Sequence, residues 1–331
     1  MRSEEEAIYI MKEYVLSRIV QALFLILGAL TFSFLLFRVL PGDPAVAISG
    51  DPRLPIKTRQ LLNQMFGLDK PIHEQFLIFL FNAFTGNLGI SFQYKQPVTQ
   101  ILYYRFLNSV ILLIPATVLS ILLGIAMGIV ACLYEGGLLD KAISLIASSL
   151  WATPSFWGGM IMIYLFAINL RLFPTGGMIG YGTTHIDWNN LNEVCYHAFL
   201  PVLTYGIIYS GQYTLILRSN LRSVLAEDFM QLVRAKGFTP FKALTKHALK
   251  NAMLPLITLI GLNFGYIILG SITIETVFTW PGLGRLLFEA VFYKDYPVLQ
   301  GIFLFFTVVM ILITVIIDIL YHYIDPRVRV K

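Results

Sequence analysis

The sequence predicts an all-α membrane protein with six transmembrane helices. Three observations lead there. Hydrophobic residues make up 57% of the 331 residues and charged residues 13%, with a mean hydropathy of +0.73. A soluble domain carries about 25% charged residues, so this chain has too little charge to cover a water-facing surface. Six stretches reach the ~20 mostly apolar residues that a membrane helix needs. Lys and Arg gather beside those stretches, which points to membrane topology rather than nucleic acid as the reason for the net charge of +5.

The apolar runs are 19–37, 106–134, 142–170, 194–217, 251–274 and 296–317. The first is uncharged and too long for a signal-peptide core, and no small-residue cleavage site follows it, so it is expected to be retained. The second contains Pro115 and Gly124, the third Pro154, the fourth Pro201. Prolines are tolerable in membrane helices where neighbours satisfy the freed backbone groups, and small residues allow close packing. Several runs exceed the hydrocarbon thickness, so tilt is expected.

Orientation follows from Lys and Arg at the span ends. Arg218, Arg222, Arg234, Lys236, Lys242, Lys246 and Lys250 lie between spans four and five. Arg327, Arg329 and Lys331 follow span six, and Arg2, Lys12 and Arg18 precede span one. Residues 172–193 carry no Lys or Arg. The reading is both termini inside, with 39–105 an extracytoplasmic elaboration on a single membrane domain, 1–331. Within the elaboration, 55–66 and 71–84 read as helices, 89–94 as a short strand, and 97–105 as an amphipathic lead into span two. Cys132 and Cys195 then face opposite sides of the membrane, which argues against a disulfide, and no metal spacing accompanies them.

The most basic inter-span segment is the cytoplasmic loop 218–250. Leu221, Val224, Leu225, Phe229, Leu232 and Val233 recur at the spacing of one helical face. Gly237 is placed to end a helix in the left-handed conformation. Thr239 and Pro240 read as N-cap and first residue of the next helix. Two helices therefore meet at a corner whose tip is Ala235, Lys236, Gly237 and Phe238. Arg234 and Lys236 suit anionic lipid and a protein groove equally.

Arg234-Ala-Lys-Gly, nine residues, then His247-Ala-Leu-Lys-Asn-Ala-Met-Leu-Pro resembles the cytoplasmic loop of binding-protein-dependent ABC importer permeases. The form is that of the dipeptide/oligopeptide (and nickel) branch. The general family pattern is Glu-Ala-Ala, three residues, Gly, nine residues, Ile-x-Leu-Pro. Here Gln231-Leu232-Val233 replace Glu-Ala-Ala and Leu254-Pro255 come late, both usual in the peptide branch. Further matches run in order: Arg38-Val-Leu-Pro-Gly-Asp-Pro, Gly67-Leu-Asp-Lys-Pro, Gly86-Asn-Leu-Gly-Ile-Ser, Pro154-Ser-Phe-Trp, ETVFTWPGLGRLLFEA from Glu275, Asp295-Tyr-Pro, and DILYHYIDPR from Asp318. Together they resemble the first permease of peptide importers along nearly the whole chain.

That resemblance implies a type I ABC importer fold in the cytoplasmic membrane, forming half of a translocation path. It implies a second homologous permease, two ABC ATPase subunits and an extracytoplasmic substrate-binding protein as partners. Residues 234–240 (Arg234, Ala235, Lys236, Gly237, Phe238, Thr239, Pro240) would couple to the ATPases. Trp280, Pro281, Gly282, Leu283 and Gly284 form an expected external turn, fitting either a part near the outer gate or receptor, or an interfacial Trp anchor. Pro41-Gly42-Asp43-Pro44 reads as a turn ending span one, with a receptor contact as the alternative. Glu275 and Asp318, near span ends within reach of water, read as structural caps or ion-pair members. His185, His197 and His247 lack companions for a metal.

No G-x-x-x-x-G-K-[ST] phosphate loop occurs, so ATP and Mg would bind on partner subunits and the chain itself would be no enzyme. Span centres contain no Asp or Glu, which weighs against an ion-coupled secondary transporter, and no catalytic pair lies in the spans. Peptides are the expected cargo, with nickel chelates and oligosaccharides as alternatives carried by the same branch.

Overall fold

A computed structural model describes residues 2–39, 57, 70–180 and 191–324. It is 81% helical. Among the described residues no strand forms. The alternation at 89–94, expected as a strand, closes instead into a tight turn with a single antiparallel bridge between Ile90 and Pro97. Ser91 accepts from the Lys95 amide and donates its own to Gln96, and the Val98 amide donates to the Gly89 carbonyl, so these backbone groups are used within the turn. The expected helix at 55–66 and the turn Pro41–Pro44 lie outside the described residues, apart from Lys57.

Each apolar run lies in helix. The first is in α1 (Arg2–Val39), and α2 (Ile72–Phe84) follows as the expected short helix. The second run lies in α3 (Val98–Leu133), which continues through Pro115. The fourth lies in α6 (Leu191–Leu225). Helix α7 (Asp228–Ala235) precedes α8 (Pro240–Lys242), which runs through a π-helical stretch, Ala243–Ala248, into α9 (Leu249–Val277). After α10 (Leu283–Phe292), α11 (Tyr296–Ile324) holds the sixth run. Among the described residues, Leu16–Leu35, Val98–Leu133 and Tyr296–Ile316 are each long and apolar enough to cross a bilayer.

The third run departs from expectation. It is not one helix but two, α4 (Leu138–Ala152) and α5 (Ser155–Met162, extended by the π-helical Ile163–Asn169), bent by 102°. Pro154 explains the break. Proline has no amide hydrogen to continue the ladder, and its ring drives the preceding residue out of the helical region. Thr153 sits at φ −75° and ψ 124°, in extended backbone.

The chain divides into two compact units, one of residues 1–105 and 286–331, the other of 106–285. In the first, Asp295 organises the turn before α3. Its carboxylate accepts from Ser91 Oγ at 2.5 Å, the Phe92 amide at 3.1 Å and the Gln93 amide at 3.0 Å. Nearby, Tyr94 donates to Glu289 while Arg105 donates to the Tyr94 hydroxyl at 3.1 Å. Burial and the Glu289 bond push the Tyr94 phenol up to about 12. The Asp295-Tyr-Pro motif thus carries a structural clasp.

In the second unit α6 is the central helix, buried along its length from Val194 to Val224. Its polar Thr204, Ser210 and Thr214 are inside, and Thr204 and Thr214 bond back to carbonyls four residues earlier, so a helix this polar keeps its hydroxyls satisfied away from water. A Cβ on Gly124 of α3 would collide with the Tyr213 Cβ, so glycine permits the two backbones to approach. One apolar cluster joins Leu112, Leu200, Tyr205, Ile274 and Trp280. A second joins Leu217, Leu221, Met230, Leu244 and Leu256 beneath the basic loop.

Candidate functional site

The basic loop folds as an elbow. The single helical face expected from Leu221 to Val233 is divided, because α6 ends at Leu225 and α7 begins at Asp228. Glu227 is extended at φ −72° and ψ 150°, and Asp228 sits in the first turn of α7, where a carboxylate favours the positive end of the helix. No Gly or Pro marks this break, so periodicity ran across it. Its consequence is that Leu232 is 67% exposed rather than inside, while Leu221, Val224, Met230 and Val233 are buried.

The corner itself forms as read. Gly237 has φ +78°, the left-handed region where a side chain is strained. The Thr239 side chain accepts from the Lys242 amide at 3.4 Å, and Pro240 stands at the start of the next helix. Two long-range bonds brace the elbow. Arg234 donates to the Leu225 carbonyl at the end of α6, at 3.3 Å, and Asn220 donates to the Ala252 carbonyl at 3.4 Å. Phe238 is half-buried against the His247 ring, with centroids 4.9 Å apart.

The two sides of the elbow differ in kind. Met230, Val233, Ala243, Leu244 and Ala248 face the cluster below. Leu232, Arg234, Ala235, Lys236, Gly237, Thr239, Pro240, Phe241 and Lys242 are exposed, with Phe241 58% exposed. The outward surface therefore pairs apolar Leu232 and Phe241 with three cations. Such a surface can seat in an apolar groove with an acidic rim, since partly apolar contact areas ringed by charge are what interfaces use.

The turn at 280–284 is packed rather than presented. Trp280 is fully buried, and its indole donates to the Asn108 carbonyl at 2.8 Å, so it is a core residue and not an interfacial anchor. Asn108 returns a bond to the Pro281 carbonyl at 2.9 Å. The Leu283 amide donates to Ser109 Oγ at 2.8 Å, and Ser109 donates to Glu275 at 2.7 Å. Glu275 also accepts from the Arg285 amide at 3.1 Å, capping the start of α10. The expected cap role of Glu275 holds, but the carboxylate is fully buried rather than wet. Gly282 and Gly284 are buried too, and only Pro281 is half-exposed within the turn. Asn108 and Ser109 were not singled out from sequence. Their one signal was a polar pair opening an otherwise apolar run.

Residues 120–330 match the family described as binding-protein-dependent transport system inner membrane component, and residues 11–113 match its N-terminal companion family. The chain belongs to this permease family. The permease is also similar to proteins named glutathione transport system permease protein GsiC. The Escherichia coli strain K12 and Salmonella choleraesuis proteins are each 36% identical over 321 residues, which is 97% of this chain and 100% of theirs. The permease is thus an ABC importer membrane component of the peptide/nickel type, a multi-pass inner-membrane protein. Asp318 and His185 lie outside the described side chains. His197 Nδ1 lies 3.2 Å from the Gly176 carbonyl.

Proposed function

We propose that this permease forms one half of the translocation path of an ATP-driven importer for small peptides. A second homologous permease supplies the other half, two separate ABC ATPases the energy, and an extracytoplasmic binding protein the cargo. Both termini lie on the ATPase side. The supporting observation is the elbow, with Leu232 and Phe241 exposed beside Arg234, Lys236 and Lys242 on a closely packed base. A rigid knob of this kind transmits rigid-body movement. When ATP closes the ATPase pair, residues 234–240 move with it and the permeases turn from inward-facing to outward-facing. The 280–284 turn acts near the outer gate by holding helix ends together.

Peptides are chosen because the relatives are named for transport of glutathione, itself a tripeptide. Nickel chelates and oligosaccharides remain the alternatives within this branch. The test is reconstitution. The complete assembly in liposomes, given binding protein loaded with glutathione or a dipeptide, should accumulate it when ATP is supplied to the ATPases. The lone subunit should neither hydrolyse ATP nor accumulate peptide, with or without a proton gradient. Gradient-driven accumulation by the lone subunit would return the reading to a secondary transporter.

A further inference from the structure

Helix α2 is apolar on two faces, and among the described residues one of them packs on protein. Phe76, Phe79, Leu80 and Ala83 are half-buried. Phe76 and Phe79 pack on Phe34 of α1, with ring centroids 5.2 and 5.6 Å apart. The opposite face carries Leu77, Ile78, Phe81 and Phe84, between 41% and 69% exposed. No residue of the helix is buried, and from Gln75 to Tyr94 the sequence carries no charge.

An apolar helix of this length is a core helix, a signal core or a segment lying in the membrane interface. Burial excludes the first, and its position after a retained span excludes the second. At 13 residues it is ~20 Å long, too short for the ~30 Å hydrocarbon core. Its depth follows from its partner. Phe34 is one residue from the end of the apolar segment Leu16–Leu35, so α2 sits where that span meets the headgroups. Phe32 and Leu35 of the span's end are themselves apolar and 57% and 51% exposed. The charged and polar groups, Lys70, His73 and Glu74, gather at its N-terminal end and are exposed.

We infer that α2 is an interfacial helix whose Leu77, Ile78, Phe81 and Phe84 face is covered by lipid acyl chains at the C-terminal end of the first span. There it would lie ~5–10 Å into the headgroup–acyl boundary and fix the depth of the segment that follows it.

The test is nitroxide labelling of the full chain, assembled with its partners and reconstituted in phosphatidylcholine–phosphatidylglycerol vesicles. Cys132 and Cys195 are first replaced by Ser. Labels are placed at Leu77→Cys and Phe81→Cys, with Lys70→Cys as the aqueous reference. Both helix sites are exposed, so labelling leaves packing unchanged. The expected result is severalfold greater relaxation by oxygen than by a water-soluble nickel chelate at 77 and 81, with the order reversed at 70. Greater relaxation by the nickel chelate at 77 and 81 would overturn the inference in favour of an aqueous surface. Immobile labels shielded from both reagents would overturn it in favour of a protein partner.

Discussion

Arg218 holds Asp140 through two parallel bonds, Nε to Oδ1 at 2.5 Å and Nη2 to Oδ2 at 2.8 Å. Asp140 also accepts from the Gly136 amide at 3.0 Å, so the loop before α4 and the lower part of α6 are tied at one buried carboxylate. A second, exposed pair, Arg222 with Glu135 at 2.7 Å, lies alongside. Helix α6 leads directly into the elbow, so this pair steadies the base from which the elbow projects.

Removing Arg218 strands a carboxylate whose side chain is 3% exposed. Arg218→Ala is expected to cost about 3 kcal/mol, seen as a lower Tm of the detergent-solubilised assembly. Arg218→Lys keeps the charge but not the fork and should fall between. An unchanged Tm for both variants would show that the pair carries no stability.

Gly237→Val tests the corner. A Cβ there meets nothing within 4 Å, so the cost is backbone strain alone, about 1–2 kcal/mol for a left-handed residue. Membrane levels should stay normal while ATP-dependent uptake is lost. Gly237→Asn, which tolerates that region better, should retain part of the uptake. Full uptake by the valine variant at normal expression would remove the corner from the coupling path.

Leu232→Asp and Phe241→Asp alter exposed side chains and should leave folding intact. Each is expected to reduce co-purification of the ATPase subunits severalfold, with Lys236→Glu giving a smaller loss. Equal recovery of the ATPases from all three would place their contact elsewhere.

At the 280–284 turn, substitutions should act through packing. A Cβ on Gly282 would enter the space of the Glu275 carboxylate, so Gly282→Ala is expected to destabilise by about 1–3 kcal/mol. Gly28→Ala, in open surroundings, is the control and should leave Tm unchanged. Trp280→Phe removes the indole bond to the Asn108 carbonyl, which keeps its own helical partner, and should cost about 0.5–1.5 kcal/mol.

Topology is checked by thiol chemistry. Cys195 is exposed and Cys132 buried. An impermeant maleimide on intact cells should label Cys195 and spare Cys132. Labelling of Cys132 alone would invert the assigned orientation.

The elbow shows how far local sequence carries. Gly237, Thr239 and Pro240 act through their own backbone chemistry, so their geometry was readable in advance. The break at Ala226-Glu227 was not, because it depends on Leu221 and Met230 both reaching one cluster from helices of different direction. Leu232 fell on the wrong side for that reason. Pro154 was read as a proline tolerated within one span, and the chain instead turns there by 102°.

By itself, the sequence determined the helical class, the apolar runs, the permease family and the caps of the elbow. Those depend on composition, on spacing and on groups within a few residues of one another. Tertiary structure decided which polar groups are buried and with whom. Glu275 meets Ser109 across 166 positions and Asp140 meets Arg218 across 78, and Trp280 turns inward because Asn108 offers its indole a carbonyl. A buried polar group must find a partner wherever the packed chain provides one, and neither composition nor periodicity records where that is.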